Sequence, residues 1–243
     1  MAVPARLRPA LEALELRVLV GVLAIAAAIW AVLTLGGEVA EGETGAFDRR
    51  IMQALRLPGQ PHTAIGPPWL GEALRDVSAL GGTTLVVLAT LLAVAALVFH
   101  RAPRRAVLLA GVVAGALLAD EALKALYGRA RPDFALPGIV TYAHSFPSGH
   151  STASAALWLS LASVAASFER RRAHKLFWFG AAAVTIVAVG VSRVYLGVHW
   201  PTDVLAGWML GAAFALAGWI VWRLAAPAGG GPSRSPRPEE QTR

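Results

Sequence analysis

Three polar clusters interrupt an otherwise apolar chain: KALYGRARP (Lys124–Pro132), SFPSGHS (Ser145–Ser151) and SRVYLGVHWPTD (Ser192–Asp203). Together they carry the cations Lys124, Arg129, Arg131 and Arg193, the imidazoles of His150 and His199, and the carboxylate of Asp203. A guanidinium fork matches phosphate oxygens two at a time. At Pro-Ser-Gly-His a helix begins, so Ser148 is placed to cap it while the N–H groups of Gly149 and His150 point outward. A helix N-terminus of that kind is an anion site. Cations, oriented N–H groups and two imidazoles make a place for a phosphate and for proton transfer.

The third cluster has its own internal logic. Pro201 suits the first turn of a helix, where its missing N–H would be unpaired anyway. His199 then stands just outside that helix and Asp203 within its first turn. A carboxylate there can accept a hydrogen bond from one ring nitrogen, which fixes the tautomer and leaves the other nitrogen basic. That is the nucleophile-and-orienter arrangement, with the histidine itself as the attacking group. A metal site is disfavoured, because the outer clusters offer only Asp133 and Asp203 as acids against several cations. With no cysteine in the chain, disulfides, thiolate metal sites and cysteine nucleophiles are excluded.

The elements that must position these residues are membrane spans. The chain is 56% hydrophobic and only 15% charged, far below the quarter usual for a soluble domain. Its apolar residues gather into blocks long enough to cross a bilayer, which takes about 20 residues each. Six blocks stand out, near Arg17–Leu35, Thr84–Phe99, Ala106–Leu123, Ser151–Phe168, Leu176–Val191 and Pro201–Trp222. None alternates as a barrel strand would, so the fold class is an all-α integral membrane bundle of about six helices. Gly111 and Gly115, spaced G-x-x-x-G, suit close helix packing. The first block is longer than a signal-peptide core and no prompt A-x-A site follows, so it reads as a span.

Basic residues cluster in alternate loops: Arg6, Arg8 and Arg17, then Arg101, Arg104 and Arg105, then Arg170, Arg171, Arg172 and Lys175, and finally Arg223. The positive-inside rule makes that side cytoplasmic, with both termini inside and all three polar clusters at the outer end. The +7 net charge is thereby explained by topology, and nucleic acid is not an expected partner. The organisation expected is a cytoplasmic N-terminus over 1–16, a membrane domain over 17–224 and a disordered, Pro/Gly/Ser-rich cytoplasmic tail over 225–243. An outer loop of about 37–80 should hold an interfacial helix near FDRRIMQALRL, with Phe47, Ile51, Leu55 and Leu57 on one face.

Over Lys124–Asp203 the clusters match K-x6-R-P, P-S-G-H and S-R-x5-H-x3-D, and so the chain resembles the type 2 phosphatidic acid phosphatase superfamily. Lys124, Arg131 and Pro132 fill the first motif, Pro147 to His150 the second, and Ser192, Arg193, His199 and Asp203 the third. The resemblance implies a membrane phosphatase needing no metal and no cofactor, with membrane lipids as its partners. By it, His199 attacks phosphorus and Asp203 positions it, while His150 first protonates the leaving oxygen and then activates water. Lys124, Arg131, Arg193, Ser148 and the Gly149 backbone would hold the phosphate. Undecaprenyl pyrophosphate is the first expected substrate, ahead of phosphatidic acid and phosphatidylglycerol phosphate. A lipid phosphotransferase and a non-catalytic lipid-phosphate binder or flippase are the alternatives.

Other polar residues read more plainly. His62, His100, His144 and His174 match no motif and are expected to be structural or solvated. Arg129 fits either the phosphate site or an interfacial anchor, and Asp120 and Glu121 should pair with a nearby arginine. Trp200, Trp208, Trp219 and Trp222 suit interface belts or packing.

Overall fold

The structure, a computed structural model, describes residues 8–139 and 144–225. The expected disordered tail and the start of the N-terminal segment lie outside those residues, the helix described at the C-terminus ending at Ala225. The elements run α1 (Arg8–Glu41), α2 (Gly45–Ala54), β1 (Arg56–Leu57), β2 (Gln60–Ala64), α3 (Pro68–Ala79), α4 (Thr83–Phe99), α5 (Pro103–Tyr127), α6 (Gly149–Phe168), α7 (Arg172–Tyr195) and α8 (Pro201–Ala225). Apart from the small antiparallel hairpin of β1 and β2, every element is helical.

Five helices, α1, α5, α6, α7 and α8, are each long and apolar enough to span a bilayer. The expected second span is corrected: α4 has only 17 residues and reaches spanning length by joining α3 across a break at Leu80–Gly82, with a bend of 42°. The all-α bundle of about six spans is thus reached with one broken helix. Its outside is apolar, with Leu23, Leu92, Leu118 and Val184 all at least 60% exposed, as a lipid-facing surface requires.

Proline and glycine mark the helix boundaries. Pro68, Pro103 and Pro201 stand in the first turns of α3, α5 and α8. Gly128, in the left-handed region with φ +55, closes α5 and releases the chain toward the first polar cluster.

At the centre lies α6, packed against α4, α5, α7 and α8. Its alanines and serines, among them the fully buried Thr152, Ala153, Ser154 and Ala156, leave room for neighbouring backbones. The closest approach is to α8. A Cβ on Gly207 would lie 2.7 Å from the Ser148 carbonyl oxygen, and one on Gly211 would overlap that of Thr152. These two glycines, spaced G-x-x-x-G, are the packing motif of the bundle. The pair expected to play that part behaves differently: Gly115 meets Phe214, but Gly111 has nothing within 4 Å.

The helix expected in the outer loop is α2, and the structure adds which of its residues face the protein. Phe47 is 52% exposed and Leu57 is exposed too, whereas Asp48 and Met52, four residues apart, are completely buried. A carboxylate on the inward face of an interfacial helix needs a partner. Here α2 rests on α8, and the partners come from there and from Arg129.

Candidate active site

The Gly207 contact brings the start of α6 against the start of α8, and the Ser148 N–H donates to the Asp203 carbonyl at 3.0 Å. Between α7 and α8 the chain turns through Gly197 (φ +79), where a side chain would strike the Phe134 carbonyl. That turn sets His199 into the bundle, 2% exposed.

His199 Nδ1 lies 2.9 Å from the Ser145 carbonyl oxygen and 3.5 Å from Asp203 Oδ2. A carbonyl can only accept, so Nδ1 carries the proton and Nε2 holds the lone pair. The expected tautomer is present, but the orienting acceptor is corrected: it is the backbone of Ser145 at hydrogen-bond distance, with Asp203 behind it. Asp203 instead gathers the surrounding chain. It accepts from the Ser145 hydroxyl, from the Trp200 N–H at 2.8 Å and from Arg129 Nη1 at 2.6 Å. Facing the open nitrogen, Arg131 Nη1 stands 3.1 Å from Nε2 while also donating to the Val198 carbonyl at 2.8 Å.

Burial lowers the His199 pKa to about 4 against its ordinary 6.5, with the nearby Asp203 carboxylate opposing and Arg193 reinforcing the shift. His199 is therefore neutral at physiological pH. Burial also lowers the Arg131 pKa from its ordinary value.

His150, in the first turn of α6, has the cations Arg193, Arg131 and Lys124 and the neutral ring of His199 as its neighbours. The α3–α4 break runs past it, and a Cβ on Gly81 would lie 2.6 Å from the His150 carbonyl oxygen. From the last turn of α7, Arg193 Nη1 donates to Ser78 on α3 at 2.9 Å, while its Nε is buried with no hydrogen-bond partner. An unpartnered buried guanidinium N–H is a donor waiting for an anion.

Lys124 turns back along its own helix, with Nζ 2.5 Å from Asp120 Oδ2 and 2.8 Å from Glu121 Oε1. The expected arginine partner of those acids is therefore replaced by Lys124, which lies three or four residues ahead on the same face. Asp120 also accepts from Thr152 at 2.9 Å, and a Cβ on Gly149 would lie 3.0 Å from Lys124 Nζ. Ser148 stands at the N-cap of α6, but its side chain makes no cap bond. Its hydroxyl accepts instead from that of Ser151 at 3.1 Å.

The eight expected site residues, His199, His150, Asp203, Lys124, Arg131, Ser148, Gly149 and Arg193, thus come from three separate stretches and meet in one cluster. Arg129 belongs to neither of its two expected readings. Its guanidinium joins Asp203 and Thr202 on α8 to Thr44 and Asp48 at α2, with 2.6 Å to each carboxylate. Asp48 in turn accepts from the Thr202 N–H at 3.1 Å and hydroxyl at 2.7 Å. Sequence reasoning passed over Asp48 as one acid among several in an outer loop. The available signal was its helical spacing from Met52, which puts both on one face.

The remaining histidines stay away from the cluster. His62 is exposed and approaches the Ala135 carbonyl at 3.1 Å, His144 is exposed, and His174 pairs with Glu169 at 2.8 Å.

Comparison with known proteins follows the same contours. The family profile of the PAP2 superfamily matches residues 105–226, half of the chain. The protein named phosphatidylglycerophosphatase B in Bacillus subtilis (strain 168) is 36% identical over 148 residues, which are 60% of this chain and 72% of that one. An undecaprenyl-diphosphatase of Sulfolobus acidocaldarius is 41% identical over 71 residues, 28% of this chain and 29% of the relative. The crystal structure of a transmembrane PAP2-type phosphatidylglycerolphosphate phosphatase from Bacillus subtilis superposes with a TM-score of 0.76 at 29% identity, covering 84% of this chain and 98% of that one. The spans, the polar cluster at their ends and these matches agree: the chain belongs to the PAP2 superfamily and is one of its membrane phosphatases.

Proposed function

We propose that the chain, a PAP2-type lipid phosphate phosphatase, hydrolyses the phosphate monoester of a phospholipid through a phosphohistidine at His199, without a metal ion. The observation that carries the reading is the state of that ring: Nδ1–H is committed to the Ser145 carbonyl, and Nε2 faces Arg131 within a cluster of cations. An incoming phosphate takes the Arg131 donor for itself and frees the lone pair. Nε2 then forms a bond to phosphorus as the P–O bond to the lipid breaks, and His150, which takes up the acidic proton that the phosphate monoanion brings in, delivers it to the leaving oxygen. In the second half, now-neutral His150 takes a proton from water, whose oxygen bonds to phosphorus as the P–N bond breaks. Arg193 Nε, Arg131, Lys124, Ser148 and the Gly149 N–H neutralise the equatorial oxygens in both halves.

The arginine-rich loops support an orientation with both termini in the cytoplasm and the site at the periplasmic or extracellular face of the cell membrane. The substrate ranking of the sequence reading changes. Phosphatidylglycerol phosphate moves first, because the relative and the solved structure that match over most of their length carry that activity in their names. Undecaprenyl pyrophosphate is the second reading, favoured by a relative matched over a shorter stretch.

The test is phosphate release in detergent from phosphatidylglycerol phosphate, undecaprenyl pyrophosphate and phosphatidic acid, with EDTA present and His199→Ala alongside. Release from the first at the highest kcat/KM, lost in the variant, is the expected result. Hydrolysis surviving His199→Ala would sink the phosphohistidine, and a preference for the pyrophosphate would reverse the ranking.

A further inference from the structure

The opposite end of the bundle carries a second gathering of cations that the phosphatase reading does not use. A cavity of about 410 Å³ opens there between α5, α6, α7 and α8, with Arg105, Lys175 and Arg223 on its lining and no Asp or Glu among the residues that form it. Among the described residues none of these three cations has a carboxylate within ion-pair distance. Two of them lie over aromatic rings instead. The Arg105 guanidinium is 4.6 Å from the Trp222 ring centre and 5.0 Å from that of Phe168, and Arg223 is 5.1 Å from that of Trp219.

The α6 wall presents a row of hydroxyls. Ser167 returns its own to the Val164 carbonyl at 2.6 Å, but Ser160, 8% exposed, has a buried oxygen with no partner. A buried hydroxyl without a partner is costly to leave so. Leu108, Leu109 and Val112 supply an apolar wall beside it. Ser160 lies ten residues beyond His150 on the same helix, about 15 Å along its axis, so this cavity is separate from the candidate active site.

We propose that this cavity binds the phosphate head group of an anionic phospholipid from the leaflet opposite the active site. Among the described residues its cations have no acid to neutralise them, and an inter-helix basic pocket at that depth meets the lipid phosphates directly. The ring-stacked guanidiniums keep outward N–H donors for phosphate oxygens, the Ser160 hydroxyl gains its missing acceptor, and the apolar wall takes the start of an acyl chain. Free inorganic phosphate shares the head-group chemistry but gains nothing from that wall.

The experiment titrates the full chain in detergent with phosphatidylglycerol or phosphatidylcholine of identical acyl chains and counts retained lipid by native mass spectrometry. The wild type should prefer phosphatidylglycerol, and Lys175→Gln with Arg223→Gln should weaken that preference by at least about tenfold. Ser160→Leu, which fills the cavity, should do the same. Arg193→Gln, at the other end, should leave the preference intact. Lipid hydrolysis measured on the Lys175→Gln/Arg223→Gln protein reports that it is folded, and that reading holds whichever phospholipid proves to be the substrate. Equal retention of the two lipids by the wild type, or a preference abolished by Arg193→Gln and kept by the inner variants, would overturn the proposal. So would inorganic phosphate displacing the lipid as effectively as added phosphatidylglycerol does.

Discussion

The two ends of the bundle hold similar numbers of cations and treat them in opposite ways. At the active-site end Arg129 is pinned between the completely buried Asp48 and Asp203, Lys124 is held by Asp120, and Arg131 is hydrogen-bonded to the Val198 carbonyl. At the opposite end Arg105 and Arg223 lie on aromatic rings, and the cavity lining offers no acid among the described residues. Buried carboxylates fix a guanidinium in one place at a desolvation cost, whereas a ring face accepts its plane and leaves the fork mobile. The active-site end is built to hold charge still before a phosphate arrives, as catalysis of phosphoryl transfer requires. The opposite end is suited to meeting head groups of varied geometry.

The largest loss should come from the active-site arginine whose buried Nε has no partner. Arg193→Met should lower kcat/KM by about 10² to 10³-fold, the range for removing one transition-state donor. A loss confined to KM would mean that the arginine only binds substrate.

Next come the residues that act through Asp203. Asp48→Asn leaves Arg129 short of one carboxylate and should cost up to about a hundredfold in kcat, the scale of a small misplacement of reacting groups. Because the two form one network, Asp48→Asn combined with Arg129→Gln should lose little more than Arg129→Gln alone. Additive losses, measured as kcat on the same lipid, would separate Asp48 from the site.

A titration sharpens the comparison further. The folded pKa of His199 is lowered from 6.5 to about 4, so between those values the unfolded chain binds more protons than the folded one. The stability that the neutral ring contributes is complete above 6.5 and is lost as the pH falls through about 4. A histidine NMR titration should place the His199 midpoint near 4, while a midpoint near 6.5 would mean the ring is open to water. The smallest effect belongs to the end opposite the active site: Lys175→Gln with Arg223→Gln should leave kcat/KM in detergent within about twofold, as surface changes far from a reaction centre do.

Much of this was readable in the chain. Block hydrophobicity announced the spans because a bilayer admits almost nothing else, and the spacing of Lys124, Arg131, His150, Arg193, His199 and Asp203 announced a phosphate site because each cation and imidazole is costly in an apolar chain. What escaped were pairings between stretches far apart. Asp48 and Thr202 are separated by 154 positions, and Arg193 and Ser78 by 115. A local pattern marks neither.

The broken second span shows the same division. Pro68 and the pair Gly81–Gly82 signal interruption in the sequence, but only packing reveals that the break makes room for His150. Likewise G-x-x-x-G occurs twice, and which copy lets two backbones touch depends on which face each helix turns to its neighbour. By itself, then, the sequence determined a bundle of about six spans and the chemical kinds gathered at one end, since these follow from local hydrophobicity and spacing. Tertiary structure alone decided which acceptor takes the His199 N–H, which acids hold Arg129 and why Arg193 Nε stays without a partner, because a hydrogen bond depends on distance and angle between groups that the chain order keeps apart.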